Sequence, residues 1–259
     1  MPPGSSPLDH LPIWAISLLV VSANLLFAEG GFRIGSLRAT RTAKEGDATV
    51  GMIVSAELGL LAFLLAFSFG IVASRFDARR HMVIDEANAI GTTFLRAATL
   101  PESQIAPVRR LLRDYTDVRT GATGVPIAQM VRRSEEIHQQ LWAEAVAAAA
   151  QDPRSVPTGL FIQSLNEVID LHTRRVMAAL RSRMPLTVWV VLFGVGFLSF
   201  FTMGYQAGLT RAFRSPAVLI LALTFGAVIW LITDMDRPGE GFLRVSQEPM
   251  FEVRKMMGN

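Results

Sequence analysis

Cysteine is absent from this chain, which excludes a disulfide framework, a thiolate metal site and a cysteine nucleophile. Lysine is nearly absent: Lys44 and Lys255 are the exceptions among 25 basic residues, a bias expected of a GC-rich bacterial genome and without mechanism. No Gly-rich phosphate loop, serine elbow, metalloprotease motif or pair of carboxylates at a cleft is written in it, so an enzyme is not expected. A block of one charge sign is missing too. The 25 basic residues are interspersed with 22 acidic ones for a net charge of +3, which calls for no nucleic acid; anionic lipid headgroups suffice as partners.

Charge is scarcest in four stretches, Leu11 to Ala28, Gly51 to Ser74, Pro185 to Gly204 and Pro216 to Thr233. As helices they span roughly 27 to 36 Å, the thickness of a bilayer's hydrocarbon core. The chain is therefore expected to be all-α, with four transmembrane helices, and function is to be sought in a bilayer. The opening MPPGSSPLDH has no positive n-region, and Leu26-Phe27-Ala28 is a poor cleavage site, so the first helix is expected to stay in the mature protein.

Four crossings put the N-terminus, residues 75 to 184 and the C-terminal tail 234 to 259 on one side. Near helix ends that side carries Arg75, Arg79, Arg80, Arg174, Arg175, Arg181, Arg183, Arg237 and Arg244. The opposite loops carry Arg33, Arg38, Arg41, Lys44, Arg211 and Arg214. The excess favours cytoplasmic termini in a bacterial inner membrane. Trp14, Trp189 and Trp230 all fall at that same interface, as headgroup-seeking indoles would.

The insert between the second and third apolar stretches reads as a helical, cytosolic layer. Phe76, Val83, Ala87, Ile90 and Phe94 form one stripe that carries the second helix some seven turns past the lipid, as far as Leu100-Pro101. Ile105 to Val118, ending at Gly121, is a second helix. The third starts after Pro126, with Ile127, Met130, Val131, Ile137 and Leu141 on its face. The fourth, from about Thr158 to Arg183, aligns Leu165, Val168, Ile169, His172, Val176 and Leu180 and leads directly into the membrane at Pro185.

The text FSFGIVASRFDARRHMVIDEANAIGTTFLRAATL at Phe67 to Leu100, with ITDMDRPGEGFLRVSQEP after the fourth apolar stretch, resembles the bestrophin-like family over nearly the whole chain. The resemblance implies a homo-pentameric ion channel with four membrane helices per subunit, cytosolic termini and a pore lined by the second helix. Gly59, Phe63 and Phe67, followed by Ser74-Arg75-Phe76, match the bestrophin neck, with Gly59 where an isoleucine stands and without its nearby proline. Calcium-activated bestrophins carry consecutive acids after the fourth helix. Here only Asp234, Asp236 and Glu240 are present, and neither a metal nor a cofactor is expected.

Gly59, Phe63, Phe67 and Gly70 are the candidate pore lining, with Met52 and Ala66 close to the same stripe. The alternative is that Gly59, Ala66 and Gly70 form a small-residue seam for helix packing, as Gly194 and Gly196 would on the third apolar helix. Glu57 is the acid inside an apolar block and is expected to meet Asn24, Arg33 or a watery crevice, a structural polar pair being favoured over ion coordination or a proton relay. A ring of Arg75 or Arg79 at the inner mouth would concentrate anions, the favoured cargo among inorganic ions; local pairing, such as Asp77 with Arg80, is the competing use of these charges. Asp234 and Asp236 are expected to pair with Arg75, Arg79 or Arg181 and lock helix ends together. Glu135 and His138 share a ligand spacing, but a second such pair is missing, so a solvated face is expected. The reading is a homo-oligomeric ion channel, the alternative a non-conducting, membrane-anchored helical scaffold or sensor.

Overall fold

The computed structural model describes residues 11–39, 44–120, 126–181, 183–210, 216–237 and 241–258, without the side chains of 44–48, 127, 180 and 181. Arg41, Gly121, Arg211, Arg214, Pro238 and Glu240 therefore lie outside the described residues, as do the side chains of Lys44 and Arg181. Every regular element among the described residues is helical. These are α1 (Ile13–Arg38), α2 (Lys44–Arg96), α3 (Glu102–Thr120), α4 (Ile127–Gln151), α5 (Val156–Arg181), α6 (Leu186–Leu209), α7 (Pro216–Asp236) and α8 (Glu248–Met256). α1, α2, α6 and α7 are long and apolar enough to cross a membrane, matching the four expected spans. Prolines set several starts: Pro12, Pro126 and Pro185 precede α1, α4 and α6, where a missing N–H costs nothing because the first turn has no partner for it.

The chain divides into two compact units, residues 1–76 with 183–244 and residues 77–182 with 245–259. In the first unit α1 packs against α6 and α7. The α1–α6 seam is made of glycines. A Cβ on Gly31 would meet the Phe201 carbonyl oxygen at 2.0 Å, one on Gly35 the Tyr205 oxygen at 2.2 Å, one on Gly204 the Ala28 oxygen at 1.9 Å and one on Gly208 the Phe32 oxygen at 2.3 Å. Gly31/Gly35 and Gly204/Gly208 are each spaced by four, so both helices present a flat strip that lets backbones touch. Gly196 packs on the Phe225 ring, whereas Gly59, Gly70 and Gly194 have nothing within 4 Å of where a Cβ would stand. Within the chain, then, the close approach of backbones is made by α1 and α6 and not by Gly59 or Gly70.

Hydroxyls in the apolar helices are satisfied locally. Ser55, Ser199, Thr202, Thr224 and Thr233 each donate to the carbonyl four residues earlier, the partner a helix offers where water is excluded. The three tryptophans differ in exposure, and Trp189 is packed within the chain. It is 5% exposed and stacks on Phe193 at 5.4 Å, while Trp14 is 66% exposed.

The second unit contains the rest of α2 with α3, α4, α5 and α8. Val83, Ala87, Ile90 and Phe94, four members of the expected α2 stripe, are buried with Val108, Leu112, Ile137, Leu141, Phe161, Leu165 and Val168. α5 does not run directly into α6 as expected: Arg183, Met184 and Pro185 are non-helical. The end of the tail belongs to this unit, where α8 packs with the insert. Met250 is fully buried, Arg113 donates to the Met257 carbonyl at 2.9 Å, and Arg254 pairs with Asp117 at 2.6 Å.

Candidate functional site

The apolar part of α2 is the least enclosed of the four spans: 11% of it is buried, against 22% to 33% for the others. Exposure on it follows the helical repeat. Val54, Leu61, Ser68 and Val72 form one inward stripe, while Met52, Ala56, Gly59, Leu60, Phe63, Phe67, Gly70 and Ser74 are exposed, as are Ile53, Ala62, Ala66 and Phe69 on other sides of the helix. Phe63 and Phe67 are 65% and 55% exposed, and their rings lie one turn apart with centroids at 6.4 Å and planes within 15°. An uncovered face built of two stacked phenyl rings between glycines leaves a large apolar surface for lipid or for another subunit.

The family model of the Bestrophin-like domain matches residues 21–250. The chain belongs to the bestrophin-like family. No curated protein and no solved structure matches it.

The charged residues near the helix ends differ in burial and in the groups they meet. Arg79 is 7% exposed and Arg75 is half-buried. At 100° per residue they stand about 140° and about 100° round α2 from the midpoint of Phe63 and Phe67, against about 60° for Gly59. Asp234 and Asp236 act on backbone amides. Asp234 accepts from the Phe242 N–H at 2.9 Å and the Leu243 N–H at 2.8 Å, and Asp236 accepts from the Met184 N–H at 2.9 Å. Asp234 is 1% exposed, and its partners follow Gly241, whose φ of +93° and closeness to the carboxylate admit no side chain.

Asn24 is fully buried on α1, and neither of its side-chain polar atoms has a hydrogen-bond partner; the same holds for Oε2 of Glu57. The expected Glu57–Asn24 pair is not formed, and Arg33 bonds Glu29 at 2.8 Å instead. Among the described residues no group of three His, Asp or Glu side chains could hold a metal ion.

The residues that sequence reasoning missed form a buried ionic knot in the second unit. Glu86 of α2 is fully buried and accepts from the Tyr115 hydroxyl and from Arg119 of α3, at 3.1 Å, and from Arg175 of α5. Arg175 also donates to Gln247, just before α8, at 2.7 Å. His138 of α4 lies against Tyr115 at 4.7 Å and against His172 of α5 at 4.9 Å, and the Tyr115 hydroxyl is 3.3 Å from His172 Nδ1. One carboxylate thereby ties α2, α3 and α5 together, and through Arg175 the segment entering α8. The expected solvated face holds for Glu135, which is exposed, but not for His138, which is buried. A signal was available: Glu86 lies three residues after Val83 and four before Ile90, on the apolar face of α2.

Burial, then the neighbouring His172, holds the His138 imidazole down at about 4; burial, then Arg119, does the same to His172. Glu86 and Tyr115 also face this pair, and Glu86 opposes the shift without cancelling it. Unfolded imidazoles take up a proton near pH 6.5, so the unfolded state binds more protons throughout the window above 4. Stability of this unit is therefore expected to fall as pH drops from about 6.5 to about 4, by about 3 kcal/mol for each imidazole. Melting curves at several pH values check this, with His138→Gln and His172→Gln expected to flatten the slope.

Proposed function

We propose that the chain assembles in a bacterial inner membrane as a symmetric ring, a pentamer favoured, whose α2 helices enclose a narrow apolar pore for small inorganic ions. Both termini and the helical insert then face the cytoplasm. The observation that carries this reading is the uncovered phenyl face of α2: the helix turns Val54, Leu61, Ser68 and Val72 inward and leaves Phe63 and Phe67 exposed. Around an axis, Phe63 and Phe67 would form two apolar constrictions one turn apart, which resist wetting, with Gly59 and Gly70 widening the lumen on either side. Family membership supports the same assignment.

Purified protein in liposomes is expected to pass ions, and Phe63→Ala or Phe67→Ala to raise the flux on the order of tenfold by relieving the constriction. Absence of flux from the wild type and both variants overturns the pore. A monomer in detergent would also count against it, because a closed ring repeats a heterologous interface that a lone subunit cannot supply. The non-conducting anchor would then take its place.

A further inference from the structure

We infer that the turn from Gly241 to Arg244 is a lipid anchor, seating Phe242 and Leu243 at the boundary between headgroups and acyl chains with Arg244 against lipid phosphate. The inference concerns the first unit alone and rests on its membrane spans, not on the pore. Phe242 is 84% exposed, and Leu243 and Arg244 beside it are exposed too. Apolar surface of that size is costly to leave in water, and its place in the fold says what covers it.

α7 ends at Asp236, yet the N–H groups of Phe242 and Leu243 donate to Asp234, two residues before that end. The chain after α7 therefore doubles back along the helix instead of running on into solution. The Phe242 ring meets the Trp230 ring, with centroids 5.6 Å apart, and Trp230 lies four residues, about 6 Å, further into the span than Asp234. The start of α1 stands at the same level: Arg237 donates to the Leu11 carbonyl at 2.6 Å, and a Cβ on Gly241 would lie 3.2 Å from Ile13 Cδ1. Leu11 and Trp14 are exposed there as well, so two separate segments present apolar side chains at one depth. That depth, at the ends of two spans, is the headgroup boundary where aromatic rings gather. The backbone suits it. Asp234 takes up the two N–H groups of the turn, so side chain rather than unbonded amide faces lipid. Arg244 donates from Nε to the Gly241 carbonyl at 3.2 Å, and its terminal nitrogens, which bond nothing among the described residues, are left to meet phosphate oxygens.

The chain has no cysteine, so one introduced thiol carries a nitroxide spin label at a single place in the full-length protein. In vesicles of phosphatidylcholine and phosphatidylglycerol, collisions with oxygen, which concentrates among acyl chains, and with a neutral nickel chelate, which stays in water, read the depth of the label. At Phe242→Cys and at Leu243→Cys the oxygen-to-nickel ratio is expected to be several-fold higher than at Glu135→Cys, an exposed site of the second unit, and lower than at Leu26→Cys, exposed within the span of α1. Adding Phe242→Ser or Arg244→Gln to Leu243→Cys is expected to lower the ratio toward that of Glu135→Cys. A ratio at both turn positions equal to that at Glu135→Cys puts the turn in water, and a label shielded from oxygen and nickel alike puts it against protein, another subunit included; either result overturns the anchor. A ratio that neither added substitution changes overturns the roles given to Phe242 and Arg244.

Discussion

Glu86→Leu is expected to destabilise the helical insert by about 4 kcal/mol, the cost typical of removing one partner from a buried ionic network. The carboxylate is fully buried and meets two guanidiniums and a phenol, so its loss leaves Arg119 and Arg175 facing each other with no counter-charge. Desolvation of the arginines is already complete in the folded protein, and water cannot return without opening the unit. Tyr115→Phe removes one hydrogen bond and keeps the charges balanced, so about 1 to 2 kcal/mol is expected. Hydrogen exchange of amides in α3 and α5 reads both effects in the intact protein, and protection in Glu86→Leu equal to wild type would sink the argument.

Gly204→Leu should be nearly as damaging in the other unit. A Cβ there stands 1.9 Å from the Ala28 carbonyl oxygen, a distance no non-bonded pair of heavy atoms sustains, and the obstacle is backbone. The helices must part along the whole strip where Gly31, Gly35 and Gly208 also touch backbone, at a cost of about 3 kcal/mol and on the order of 10 °C in melting temperature. Gly59→Ala is the control. Its position has nothing within 4 Å, so the fold of the single chain tolerates the methyl group. Equal melting of Gly204→Leu and wild type would show that the seam carries no weight. Loss of conduction in Gly59→Ala with unchanged melting would point to the lumen, as the proposed pore requires.

Much of this protein was legible from periodicity. The four spans, the extension of α2 beyond its apolar block and the limits of α3 and α4 all follow from stripes and prolines. The glycine seam was less so, because glycines recur in α1, α2 and α6 alike and spacing does not say which pair of helices will meet. The ionic knot was half visible. His172 was correctly placed on an apolar face, and Glu86, Tyr115, Arg119 and Arg175 occupy positions in apolar stripes. Reading each helix alone assigns such charges to solvent, since an isolated charge is costly to bury.

Family membership and the membrane class follow from the amino-acid sequence by itself, because lipid admits only segments that satisfy their own backbone, and that demand is written in composition and length. Tertiary structure alone decided which glycines let backbones touch, and which charges turn inward and which stay in solution. Those outcomes depend on partners brought from distant parts of the chain: Glu86 is neutralised by residues 33 and 89 positions away, while Asp85 beside it is exposed.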